Sequence, residues 1–108
     1  MRSFLGEFEQ VLLLALFTSA DESYGVEIRR AIEDRTGRLV SPGAIYTALD
    51  RLERRGLVAS RLGDPTPERG GKRKRYYRLE PEGARAVTES QRVLARMAGR
   101  AVPEFKTS

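Results

Sequence analysis

Apolar residues recur at intervals of three and four along the first half of the chain, a spacing typical of amphipathic helices. The pattern predicts three helices, over residues 4–19, 23–36 and 41–56. The first is apolar nearly all round, so it is either the central core helix or a helix that also meets a partner subunit. The apolar stripes consist of Leu5, Phe8, Leu12 and Leu16, then Tyr24, Ile28 and Ile32, then Ile45, Leu49 and Leu52.

The boundary between the second and third helices is marked by residues with special backbone preferences. Gly37 provides a left-handed stop for the second helix. Ser41 is a candidate N-cap, and Pro42 occupies the first helical position, where its missing N–H has no cost. Because only a few residues separate Gly37 from Ser41, the two helices must form a tight turn. This is the layout of a helix-turn-helix.

The apolar period changes from helical to alternating after the third helix. The sequence predicts a strand at 57–62, a turn rich in Gly, Pro and Asp at 63–71, and a returning strand at 72–79. Pro81 then opens a fourth helix over roughly 82–101.

The predicted order of three helices, a hairpin and one further helix is that of a winged helix-turn-helix. We therefore predict a mainly α fold with a small β-hairpin and one C-terminal dimerisation helix. The predicted organisation is a DNA-binding domain at 1–80, a dimerisation helix at 81–102 and a short tail at 103–108.

The basic charge of the chain is concentrated in the predicted wing. The net charge is +5, and the decapeptide RGGKRKRYYR at 69–78 alone contains six Lys and Arg residues. Five minus six leaves −1 for the rest of the chain, so the basicity is local. A local basic patch is the usual footprint of a polyanion binder, although a solvated charged loop has the same composition.

Several function classes are disfavoured by composition. The chain has no cysteine and no histidine, and it has no convincing acidic pair and no glycine-rich phosphate loop. We therefore predict no enzyme activity, no cofactor and no metal site. The longest apolar run, at 11–17, is too short to span a bilayer. The absence of cysteine is compatible with a cytoplasmic location, and no membrane partner is expected.

Four segments together resemble the PadR family of bacterial transcriptional regulators. They are LGEFEQVLLLAL at 5–16, SYGVEIRRAIE at 23–33, SPGAIYTALDRLERRGLV at 41–58 and KRYYRLEPEG at 74–83. The resemblance implies a homodimeric winged-helix repressor, in some members relieved by phenolic or drug-like molecules. The chain resembles the short subgroup, with Glu80 where relatives often carry Thr and with no tryptophan.

The resemblance and the helical geometry together predict a DNA-contacting surface. Thr47 is expected to reach a base edge or a thymine methyl group, and Arg51 a guanine or a phosphate. Asp50 repels phosphate and is expected either to lie near the DNA or to orient an arginine. Strand alternation places Tyr77 inward and Tyr76 outward. The predicted DNA-binding residues are Ser41, Gly43, Ala44, Tyr46, Thr47, Arg51, Lys72, Arg73, Lys74, Arg75 and Tyr76.

The fourth helix carries small and apolar residues at the spacing of a helix pair. We predict that it forms a homodimer interface, with any small-molecule effector pocket lined by this helix and the first. The predicted interface residues are Ala86, Ser90, Val93, Leu94 and Met97. Two other functions also fit the sequence, a winged-helix module that binds protein or RNA and an architectural DNA binder without sequence preference.

Overall fold

A computed structural model of the chain describes residues 5–19, 21–64 and 73–99. The predicted fold class is confirmed, because four helices pack with a small antiparallel sheet. In chain order the elements are α1 (Glu7–Phe17), β1 (Ser23–Tyr24), α2 (Gly25–Thr36), α3 (Pro42–Arg54), β2 (Val58–Leu62), β3 (Arg75–Leu79) and α4 (Pro81–Ala98).

The helix-turn-helix is closed by the residues that the sequence singled out. Gly37 ends α2 in the left-handed region, at φ 73°. The Ser41 hydroxyl accepts a hydrogen bond of 3.1 Å from the Ala44 N–H, and Pro42 opens α3. Between them the Val40 N–H donates to the Glu33 carboxylate at 3.3 Å, which fixes the turn against α2. The turn is therefore held by capping and by α2 itself.

The sheet has three strands in the order β1-β3-β2, rather than the two that were predicted. The prediction that Ser23 and Tyr24 begin the second helix is wrong, because these residues form β1. They pair antiparallel with Tyr77 and Tyr76 of β3. The helix begins only at Gly25, where the Glu27 carboxylate accepts from the Tyr24 N–H at 3.1 Å.

Several other element boundaries also differ from the prediction, by one to three residues. The first helix is shorter than 4–19, because Glu9 caps the Gly6 N–H at its start and the Thr18 hydroxyl donates to the Leu14 carbonyl at its end. The returning strand begins at Arg75, three residues later than predicted. The last helix begins at Pro81 and ends at Ala98, whereas residue 101, its predicted end, lies outside the described residues.

One apolar core connects all four helices with the sheet. Its fully buried side chains are Leu12, Leu13, Ile45, Leu49, Leu52, Val58 and Val87. Tyr77 is buried, as strand alternation predicted, whereas Leu79 is only partly buried against the core. The first helix is thus the central core helix, and it contacts each of the other three helices.

Candidate nucleic-acid interface

The third helix presents one side to the core and the opposite side to solvent. Ile45, Leu49 and Leu52 are at most 1% exposed, so the core fixes the rotation of α3. We call α3 the recognition helix, because it is the second helix of the helix-turn-helix. The predicted contact residues of this segment are all exposed, namely Ser41, Gly43, Ala44, Tyr46, Thr47 and Arg51.

The N-terminal end of the recognition helix is electrostatically suited to a phosphate. The first turns of α1, α2 and α4 each contain an acidic residue, whereas the first turn of α3 contains none. The positive end of the α3 dipole is therefore not offset by a carboxylate on its own helix. Gly43 has no atom within 4 Å of the position where a Cβ would lie, so a ligand can approach the backbone there.

The C-terminal half of the recognition helix holds an ion pair and an unpaired cation. Asp50 pairs with Arg54 one turn later, so the expectation that Asp50 orients an arginine is confirmed. Arg51 is exposed and has no ion-pair partner among residues 5–19, 21–64 and 73–99. Its guanidinium therefore stays available to a base edge or a phosphate.

Tyr46 lies across the start of α2. A Cβ at Gly25 would overlap the phenol ring and the hydroxyl of Tyr46, so only glycine leaves room for this contact. The Tyr46 side chain is 44% exposed, and the rest of its surface faces the protein. The two helices of the helix-turn-helix thus touch through a side chain predicted to meet DNA.

The described part of the wing is exposed and basic. Arg73, Lys74 and Arg75 are exposed, and Tyr76 is half-buried. Lys72, the other predicted contact of the wing, lies outside the described residues. The Lys74 ammonium lies 4.2 Å from the centre of the Tyr24 ring, a cation–π contact. Positive charge is thus placed along the wing strand, with one cation held by the adjacent strand.

A cluster of aromatic rings and charges covers the outer face of the sheet. The rings of Tyr24 and Tyr76 meet edge to face at 5.8 Å, and the Arg61 guanidinium lies 5.1 Å from the Tyr76 ring centre. Arg61 also donates two hydrogen bonds to Glu22, at 2.7 and 2.6 Å. These bonds lower the pKa of the Glu22 carboxyl and raise the pKa of Arg61.

The sequence did not reveal this outer-face cluster of Glu22, Tyr24, Arg61 and Tyr76. Tyr24 was predicted to head the buried stripe of the second helix, but it lies in β1 and is only partly buried. A two-residue strand is too short to show an alternating pattern. Glu22 and Arg61 are separated by 39 positions in the chain, so no local pattern relates them.

The last helix leaves a groove beside the first that is lined by both apolar and charged side chains. Val87 packs into the core and Ala86 is half-buried against it, whereas Leu94 is 54% and Met97 82% exposed. The groove has a volume of about 880 Å³, and its lining includes Leu5, Phe17, Ser90, Val93 and Leu94. Ser90 and Val93 are half-buried at its floor. An apolar surface of this kind suits a second helix.

These features define a winged helix-turn-helix of the type that binds duplex DNA. The chain belongs to the Transcriptional regulator PadR-like family, whose model matches residues 13–89. Proteins of this family are DNA-binding transcriptional regulators, so the predictions of family and of a non-enzymatic function are confirmed.

Individual relatives agree with this assignment. The chain is similar to transcriptional regulator Rv3488 of Mycobacterium tuberculosis, at 38% identity over 85% of this chain and 84% of that protein. It is 33% identical to transcriptional regulator YqjI of Escherichia coli over 95% of this chain, yet spans only 53% of that protein. A crystal structure of a PadR family transcription regulator from Clostridium difficile matches with a TM-score of 0.71, at 25% identity over 93% of this chain and 98% of that one.

Two other features are absent from residues 5–19, 21–64 and 73–99. None of the helices there is long and apolar enough to cross a membrane. No group of three Asp, Glu, His or Cys side chains in this part of the chain is arranged to hold a metal ion.

Proposed function

We propose that the protein is a homodimeric repressor that binds a pseudo-palindromic operator through two recognition helices and two wings. The observation that carries this proposal is the solvent-facing side of α3. The five predicted contact residues of α3 and its N-cap Ser41 are all exposed, and its first turn is free of acidic side chains. The wing carries three further exposed cations, Arg73, Lys74 and Arg75. They would neutralise phosphates of the DNA backbone.

The homodimer is supported by the apolar surface of the last helix. Leu94 and Met97 are large, exposed and apolar, and Leu94 lines the groove between α4 and α1. A second copy of α4 would cover this surface by the spacing of a helix pair. A twofold axis there would place the recognition helices in successive major grooves, roughly 34 Å apart.

Such a dimer would repress transcription by occupying promoter DNA. A dimer on a palindrome that overlaps a promoter excludes RNA polymerase from the same DNA. Effector control is also part of the proposal, because the groove volume of about 880 Å³ lies within the range of small-molecule sites. A ligand held between α1 and α4 would change the spacing of the two recognition helices.

The test is a titration of the protein with its promoter palindrome and with a scrambled duplex of equal length. A sequence-specific regulator should prefer the palindrome by about a thousandfold or more. Equal binding to both duplexes would indicate an architectural DNA binder, and no binding to either would indicate an interaction module. Sedimentation equilibrium at micromolar concentration tests the dimer, and a monomer of 12.1 kDa would contradict it.

A further inference from the structure

The inner face of the wing sheet is in contact with the recognition helix. In the antiparallel ladder Ser60 is opposite Tyr77, and Leu62 is opposite Arg75. Because side chains alternate between the two faces of a strand, Arg75 and Tyr77 share one face with Ser60. Tyr77 is buried, so this is the face that covers the core and α3. The Arg75 side chain therefore projects from the face of the wing that packs against the recognition helix.

A hydrogen-bonded chain crosses this interface from α3 to β3. The Ser60 hydroxyl lies 2.8 Å from Glu53 Oε2 and 3.0 Å from Glu53 Oε1, and Arg75 Nη1 lies 3.0 Å from the Ser60 oxygen. A carboxylate is only an acceptor and a guanidinium is only a donor. The hydroxyl must therefore donate its one proton to Glu53 and accept from Arg75. The hydrogen bonds therefore run from Arg75 to Ser60 and from Ser60 to Glu53.

The inner end of this hydrogen-bonded network is partly buried, whereas its outer end is exposed. Glu53 and Ser60 are only partly exposed, because they lie where β2 packs on α3, whereas Arg75 reaches solvent. Burial raises the pKa of the neighbouring Tyr77 phenol, with the charge of Arg75 opposing this effect and that of Glu53 adding to it. Both charged groups thus lie close enough to the Tyr77 phenol to influence its pKa.

We propose that Ser60 and Glu53 are positioning residues, which hold the Arg75 guanidinium beside the recognition helix so that it meets a DNA backbone phosphate. The proposal rests on the proposed function and names a role for two residues that do not themselves contact DNA. An arginine ordered before binding loses less conformational freedom when it reaches the phosphate. Removing the hydroxyl should therefore weaken binding to every duplex, without changing which sequence is preferred.

The restraint is tested first on the free protein by NMR relaxation of the arginine side-chain Nε–H groups. The Arg75 signal is assigned by its loss in Arg75→Lys. We expect it to be more ordered than the signal of Arg73, and to lose that order in Ser60→Ala but not in Ser60→Thr, which keeps the hydroxyl. Equal mobility of Arg75 and Arg73 in the wild-type protein would overturn the restraint.

The role in DNA binding is tested with a random-sequence duplex of about 30 base pairs, long enough for two adjacent half-sites. Ser60→Ala should raise the dissociation constant about 2- to 10-fold per subunit, the range expected for ordering one long side chain. Ser60→Thr should bind as the wild type does. In an Arg75→Ala background, Ser60→Ala should have no further effect on DNA affinity, even where both changes lower the unfolding temperature.

The results separate this inference from the proposed function. If the wild-type protein binds no duplex, the proposed function fails, and the DNA role of Arg75 fails with it. If the wild-type protein binds but Ser60→Ala binds equally well or more tightly, only the positioning role is overturned. An equal loss with and without Arg75 would also overturn it, because the serine would then act through the fold.

Discussion

The phenol of Tyr46 rests on the backbone of Gly25, where the recognition helix crosses the first turn of α2. The two residues of this contact differ in burial and in the side chain that their positions allow. Gly25 is buried and must have no side chain, whereas Tyr46 is partly exposed and lies on the face predicted to meet DNA. The orientation of a proposed DNA contact therefore depends on the absence of a methyl group on the neighbouring helix.

This contact predicts the behaviour of Gly25→Ala. The new methyl group would displace the Tyr46 ring, which is partly exposed and can swing into solvent. We expect the free energy of unfolding to change by no more than about 1 kcal/mol, since alanine also favours the helix. DNA affinity should nevertheless fall. Chemical denaturation and DNA titration measure the two effects, and in a Tyr46→Ala background Gly25→Ala should no longer reduce affinity.

Two other glycines should respond in opposite ways to the same substitution. A Cβ at Gly83 would overlap the carbonyl oxygen of Leu57 and the side chain of Leu79, whereas a Cβ at Gly43 would meet no atom within 4 Å. Gly83→Ala should therefore destabilise the protein by about 1–3 kcal/mol through overpacking. Gly43→Ala should stabilise it by up to about 1 kcal/mol. Urea unfolding of both variants tests this, and equal effects would contradict the structure at Gly83.

Gly43→Ala should also weaken DNA binding, despite its stabilising effect on the fold. If the first turn of α3 approaches the DNA as proposed, the added methyl group lies between the backbone and the bases. The readout is the dissociation constant for the promoter palindrome, measured beside the unfolding curve. A variant that is more stable and binds equally well would place the DNA elsewhere on the recognition helix.

A charge in the groove between α1 and α4 should dissociate the proposed dimer. In Val93→Glu or Leu94→Glu an unpaired carboxylate would be buried against the partner, which costs several kcal/mol. The dimer dissociation constant should rise by roughly 100-fold or more. Ala95→Glu is the matched control, because Ala95 is exposed and is not part of the groove lining. Sedimentation equilibrium distinguishes them, and a dimeric Leu94→Glu protein would contradict the proposed interface.

Wing and recognition-helix variants should differ in the salt dependence of DNA binding. Arg73→Ala removes a proposed phosphate contact, so it should weaken binding to all sequences and reduce the salt slope by about 0.9 per contact. Thr47→Ala should instead cost about 1–3 kcal/mol per base contact and relax the preference at one position in each half-site. Titrations at several salt concentrations test both. Arg51→Ala decides whether Arg51 behaves as a base contact or as a phosphate contact.

The ion pair between Glu22 and Arg61 predicts a pH dependence of stability. The hydrogen bonds from Arg61 lower the pKa of Glu22 from its ordinary value of 4.5. A carboxyl whose pKa is lower in the folded state stabilises the fold above its unfolded pKa, and this contribution is lost as the pH falls below 4.5. Wild-type protein should therefore be more stable than Glu22→Gln at neutral pH, and the difference should shrink in acid. In an Arg61→Gln background the difference should be small at every pH.

The helix-turn-helix could be predicted from the sequence because its signals are local. Gly37, Ser41 and Pro42 each impose a backbone conformation on their own segment. The rotation of α3 about its axis could also be predicted, since three apolar residues at helical spacing determine which side faces the core. The exposure of Thr47 and Arg51 follows from the same spacing.

The contacts that support the proposed interface could not be predicted, because each joins distant parts of the chain. The hydrogen bonds that link Glu53, Ser60 and Arg75 depend on the register of β2 with β3. The contact between Tyr46 and Gly25 depends on the packing distance of two helices. Residue types and spacing give no information on this strand register or on this helix packing distance.

The two-residue strand β1 makes β3 the central strand of the sheet, with a partner on each side. Ser23 pairs with Tyr77, so β1 cannot pair until a much later segment of the chain has been synthesised. During synthesis, α1, α2 and α3 emerge from the ribosome first and can form early, since their contacts are local. Before β3 is made, β1 and β2 both lack the strand with which they pair in the sheet. A nascent chain that ends before Arg75 therefore carries a complete helix-turn-helix but lacks the central strand of the wing sheet.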